Sequence, residues 1–226
     1  HAVSLGLAPA DIWGVYRQRG QWALDTMRLF FWDNPLIKRG LTWRRRLSYL
    51  VIPLTYLGAG IVFPFLFAIP LWTYVTGGSV LADSELEFGL FRGVYFVVMA
   101  IALRALFRKQ RTGRQFQMLV GLFPIYLMGT FRALLYPPGR RPRYTPNHAS
   151  RPAARKPAFL AILPQLVILA ASALLPFYAV AAGTAAPRLI LSNAFISAAA
   201  IWALLPAILA AVTKKTWSEE DASYVA

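Results

Sequence analysis

"LVIPLTYLGAGIVFPFLFAIPLWTYV" (Leu50–Val75) is the stretch that decides the architecture, and it lies within an uncharged run from Leu47 to Ala82. A helix needs about 20 apolar residues to cross the hydrocarbon of a bilayer, so this run holds one span with residues to spare. Pro53, Pro64 and Pro70 predict kinks in it, tolerable where neighbouring helices answer the freed carbonyls. Working outward, "AFLAILPQLVILAASALLPFYAVAAG" (Ala158–Gly183) and "LILSNAFISAAAIWALLPAILAAVT" (Leu189–Thr213) read the same way. Their Ala, Ser and Gly content suits close helix packing in lipid. A further candidate, "GLFRGVYFVVMAIALRALF" (Gly89–Phe107), carries Arg92 and Arg104 near its ends, where long side chains snorkel to the interface. The expected fold class is an all-α integral membrane protein with about four transmembrane helices.

Composition agrees. Of 226 residues, 58% are hydrophobic, and 24 Lys+Arg stand against 9 Asp+Glu, a net charge of +15. In a soluble chain that excess would suggest nucleic acid; in one so apolar it suggests cationic flanks on the cytoplasmic side of a membrane, and no nucleic-acid partner is expected. Cys is absent and His occurs twice, which excludes disulfides and a His/Cys metal site. The chain opens at His1 without an initiator Met or signal peptide, and reads as a piece of a longer protein.

Gln115–Phe131 ("QFQMLVGLFPIYLMGTF") is apolar but short. Arg108, Lys109, Arg111 and Arg114 precede it; Arg132, Arg140, Arg141, Arg143, Arg151, Arg155 and Lys156 follow. A span here would put one basic cluster outside, against the positive-inside rule, so the segment is expected to lie along the cytoplasmic interface as an amphipathic helix. The four spans then orient themselves. "TGGSVLADSELEF" (Thr76–Phe88) has acids and no Lys or Arg, so it faces out, as does the short loop near Arg188. The basic clusters and both ends face the cytoplasm of a cell (inner or plasma) membrane.

Ahead of the first span runs "YRQRGQWALDTMRLFFWDNPLIKRGLTWRRRL" (Tyr16–Leu47). At helical steps of four and three, Gln18, Trp22 and Asp25 share a face. The helix should start near Ala8–Asp11 and end at Asn34-Pro35. It is expected to be the second interfacial helix, with the wall Phe30-Phe31-Trp32 dipping into lipid. Lys38, Arg39 and Arg44–Arg46 would meet acidic headgroups of the bilayer. A plain membrane anchor, with Trp22 as one more interfacial aromatic, fits the same pattern.

"QRGQW" (Gln18–Trp22), with "GLAP" (Gly6–Pro9) before it and "NPLIKRGLTWRRRLSYL" after, resembles the QxxRW segment of processive family-2 glycosyltransferases of the bacterial cellulose synthase kind. The resemblance implies polymerisation of sugars from a nucleotide-sugar donor (UDP-glucose-like) and passage of the growing glycan through the membrane. It places Gln18 and Trp22 at the acceptor. An indole offers a flat apolar face to a pyranose, and an amide both donates to and accepts from hydroxyls. It places Gln21 near the donor diphosphate, where the family has Arg; a neutral amide cannot replace a bidentate cation. Arg17 and Arg19 are expected on other faces. Of the family's FxVTxK gating loop, "RPRYTPNHASRPAARK" (Arg141–Lys156) keeps Tyr144 and Thr145 but has Asn147 at the Lys position.

The expected organisation follows: 1–46, the end of a catalytic domain and the QxxRW-type helix; 47–107, two spans; 108–156, the interfacial helix and gating-like basic loop; 157–213, two spans; 214–226, a cytoplasmic tail. Glu219-Glu220-Asp221 reads as solvated tail, and no DxD or phosphate loop is present. No catalytic residue, cofactor or metal is therefore expected in this piece. The resemblance implies Mg2+ or Mn2+ with the nucleotide sugar in a catalytic domain upstream, and leaves room for accessory export subunits. Trp72, Tyr56, Tyr95, Gln165, Asn193 and Trp202 are candidates for lining a glycan channel, or else interface anchors and interhelical glue. The alternative function is a transporter or scaffold subunit without catalysis.

Overall fold

The computed structural model describes residues 12–80, 93–94, 97–98, 101–102, 104–105, 112–140, 142 and 157–212, and everything regular among them is helical. In chain order the helices are α1 (Ile12–Trp32), α2 (Trp43–Leu57), α3 (Phe63–Thr76), α4 (Thr112–Gly121), α5 (Phe123–Leu134), α6 (Ala158–Ala161), α7 (Leu163–Ala182) and α8 (Pro187–Val212). A π-helical turn, Gly58–Val62, joins α2 to α3. Three runs are long and apolar enough to cross a membrane: Trp43–Thr76, Leu163–Ala182 and Pro187–Val212. The pair α4 and α5 qualifies as a fourth only if its two halves cross together. The few described residues within Gly89–Phe107 are helical; the rest of that candidate span lies outside the described residues.

Proline sets the breaks. Pro64, Pro124 and Pro164 are each the second residue of the helix that follows an interruption. A proline has no N–H to give to the carbonyl four residues back, and its ring collides with that carbonyl. Before Pro64 the backbone widens into the π turn, a known answer to such a clash, and helix continues through Trp43–Thr76. Before Pro124 the chain breaks at Leu122 with a bend of 55° between α4 and α5. Before Pro164 it breaks at Ile162. The single helix expected over Gln115–Phe131 is thus two, and its residues Val120, Leu122, Phe123, Ile125 and Tyr126 are buried inside protein. The helix that holds the first candidate span begins at Trp43, with Arg44–Arg46 inside the first turns of α2.

The chain forms two packing units. One combines α1, α2, most of α5, α6 and the end of α8. Its centre is Leu24, Met27 and Ala133, with Phe30, Phe31, Tyr56, Leu57 and Tyr136 packed on them. The expected lipid-facing wall is therefore mostly core: Phe30 and Phe31 turn onto protein, where apolar partners from α2 and α5 are already offered. Gly60 sits against α5 so tightly that a Cβ there would lie 2.7 Å from the Leu127 nitrogen and 2.9 Å from the Tyr126 carbonyl carbon. Only a residue without a side chain permits this approach.

The other unit combines α3, α4, α7 and most of α8. Phe67, Val120, Phe123, Ala200, Ala203 and Leu204 make its core, with Phe63 and Ile168 against them. Polar side chains inside it are tied to neighbouring helices. The Tyr74 and Ser197 hydroxyls lie 3.1 Å apart, Gln117 Nε2 donates to Trp202 O at 2.9 Å, and Thr184 Oγ1 to Tyr74 O at 2.7 Å.

Gly60 and Gly58 give a matched test. Gly60→Ala forces Cβ into backbone and should destabilise by ~1–3 kcal/mol, the usual cost of overpacking. At Gly58 a Cβ meets nothing within 4 Å, so Gly58→Ala should be neutral or slightly stabilising. Thermal unfolding of the two variants in detergent checks the difference.

Candidate acceptor-side face

The candidate site is on α1, and its geometry starts from how that helix is held. Its buried stripe is Gly14, Ala23, Leu24 and Met27. Ala23 crosses α5 at Gly129, where a Cβ would come within 2.8 Å of the Ala23 Cβ. Two donors at the far end of α1 then reach the open end of α5. Trp32 Nε1 donates to Ala133 O at 2.8 Å. Arg28 Nε donates to Tyr136 O at 3.0 Å, and its terminal nitrogen to Arg140 O at 3.2 Å. The last carbonyls of a helix have no partner within it, and a cation suits the negative end of its dipole. The position of α1 is thus fixed by side chains that donate to carbonyls at and just after the end of α5, about a hundred residues away.

Opposite the buried stripe lie the residues singled out above. Trp22 is 47% exposed, Asp25 is exposed, and Gln18 and Gln21 are half-buried. Gln21 Nε2 donates to both Asp25 oxygens, at 3.1 and 3.0 Å. The amide in the position of the family Arg is therefore already engaged one turn along its own helix, and Asp25 with it. Arg19 departs from expectation. It is not on another face: its guanidinium lies over the Trp22 ring, 4.9 Å from the centroid, as side chains three apart on a helix can. An exposed indole with a cation over one face and Gln18 on the same side of the helix has the groups that can hold a sugar ring. The described residues contain no group of three or more His, Cys, Asp or Glu able to hold a metal ion.

No family model, curated protein or solved structure matches this chain. What remains is the disposition of each candidate. Tyr144, Thr145, Asn147 and Tyr95 lie outside the described residues. Tyr56 stacks on Tyr126, centroids 4.6 Å apart and planes 10° from parallel. In the other unit, Gln165 is fully buried and gives Nε2 to Gly121 O at 2.8 Å. Asn193 Nδ2 turns back to Leu189 O on its own helix at 2.9 Å. Trp202 stacks on Phe116 at 6.0 Å, and Trp72 is exposed. Gln165 thus bonds a neighbouring helix, the interhelical role open to it from the start, whereas Asn193 bonds its own helix.

Sequence reasoning missed two features. The Gln21–Asp25 pair was within reach, being four residues apart on a helix. The Arg28 and Trp32 contacts were not, since nothing local marks their acceptors. Arg28→Gln should loosen α1 by about 2 kcal/mol, within the range for hydrogen bonds to a charged group. Hydrogen exchange across Leu24–Trp32 should accelerate accordingly. Asp25→Asn, in an exposed pair, should leave exchange there nearly unchanged.

Proposed function

We propose that this chain is the membrane and acceptor-side portion of a processive family-2 glycosyltransferase, acting with a catalytic domain that supplies the nucleotide sugar and its divalent cation. The observation that carries the proposal is the face of α1. It is a half-exposed indole that shares its side of the helix with Gln18, on a helix docked by Arg28 and Trp32, ahead of a run long and apolar enough to cross a membrane. A sugar stacks on Trp22, Gln18 reads its hydroxyls, and the rigid dock keeps the acceptor end in register with the donor during each addition. The lengthened glycan then advances along the apolar helices across a cell membrane. With the basic loops inside, both ends of the chain are cytoplasmic and α1 lies at the cytoplasmic interface.

Nucleotide release by the intact parent protein, offered a panel of UDP- and GDP-sugars, tests this reading. Turnover that depends on the sugar is expected, and Trp22→Ala should abolish polymer formation without moving the unfolding midpoint, because the side chain is not part of the core. Full activity of that variant removes the acceptor role; absence of turnover with every donor in folded protein moves the reading to a non-catalytic membrane subunit.

Orientation has its own test. The chain lacks cysteine, so single cysteines at Lys38 and Ser79 are clean probes. An impermeant maleimide should label them from opposite sides of sealed vesicles. Labelling from one side contradicts the topology.

A further inference from the structure

The loop after α1, taken together with the first turn of α2, divides its basic residues into two kinds. Arg46 is half-buried and spent on the loop itself. Its Nε donates to Leu41 O at 3.1 Å, one terminal nitrogen to Lys38 O at 2.8 Å, and the other to Leu36 O. Lys38 pairs with Asp33. Arg39, Arg44 and Arg45 are exposed, and none forms an ion pair among the described residues. Beside them stand two large apolar side chains, Ile37 at 81% exposure and Trp43 at 68%. Arg46 thus sets the shape of a loop that presents three cations and two apolar groups together.

We propose that this loop is a docking surface for anionic phospholipid, with Arg39, Arg44 and Arg45 on the headgroup phosphates and Trp43 and Ile37 in the interfacial layer. The occupant follows from chemistry and position. Unmatched guanidinium groups call for an anion. The neighbouring Trp and Ile call for the boundary between headgroup and acyl chain, where a soluble anion would leave them in water. Continuity with Trp43–Thr76, a helix able to cross the membrane, puts the loop at that depth. The inference is independent of the glycan reading. It also amends the expectation that all five basic residues serve lipid: Lys38 and Arg46 serve the loop.

Native mass spectrometry of the full chain, with phosphatidylglycerol and phosphatidylcholine in competition, decides the matter. The unaltered protein should retain phosphatidylglycerol preferentially. A basic residue near an anionic membrane surface contributes roughly a fivefold change in affinity, so Arg39→Gln, Arg44→Gln and Arg45→Gln combined should lower the relative affinity on the order of 100-fold. Arg46→Gln should keep the preference while hydrogen exchange over 36–41 speeds up. Should Arg46→Gln fail to fold, the triple variant decides alone, since its three side chains are exposed. Undiminished preference in the triple variant overturns the proposal. So does displacement of phosphatidylglycerol by glycerol phosphate at equal concentration, which would mark a site for a soluble anion.

Discussion

The constraint on which this structure depends is that a backbone carbonyl inside a membrane protein must be answered. Each break between helices leaves carbonyls without an N–H, and here the breaks are set by Pro64, Pro124 and Pro164. Water does not reach such groups in lipid, and each one left bare costs several kcal/mol. The chain meets the demand with side chains. In one unit, Arg28 and Trp32 cover the end of α5. In the other, Gln165 covers the last carbonyl of α4, Thr184 covers Tyr74 near the end of α3, and Gln117 reaches Trp202, whose carbonyl Pro206 has no N–H to answer. Gln165, a candidate for a channel lining, is to that extent a fastener.

This explains what the sequence discloses and what it conceals. The spans are legible because about 20 uncharged apolar residues in a row permit few other fates. Helix α1 is legible from its spacing and from the Asn34-Pro35 stop. The break in Gln115–Phe131 is not: its charge flanks predict one surface helix, whereas Pro124 splits it and one side packs on protein. The aromatic wall misleads for the same reason, because Phe30 and Phe31 find their neighbours in α2 and α5, far off in sequence. A basic cluster is visible as a cluster; that Arg46 differs in role from Arg44 and Arg45 depends on three carbonyls whose placement only the folded loop provides.

The candidate site shows the same division. Gln18 and Trp22 share a face by helical spacing alone, and the Gln21–Asp25 pair could have been read from a separation of four. The guanidinium on Trp22 changes what that indole offers, since one aromatic face already has a cation on it. Any ring that stacks on this indole takes the remaining face or displaces Arg19 at a cost of about 0.5–1 kcal/mol.

Gln165 has a bearing on how the protein is made. Its amide is fully buried on a helix able to cross the membrane, and a lone amide is poorly suited to leaving the insertion machinery for lipid. The acceptor, Gly121 O, belongs to a segment synthesised some forty residues earlier. When α7 emerges, its partner is already in place, so α7 need not be exposed to lipid alone. The order of the chain thus supplies the acceptor before the amide that needs it, an order that a chain with the two helices permuted would reverse.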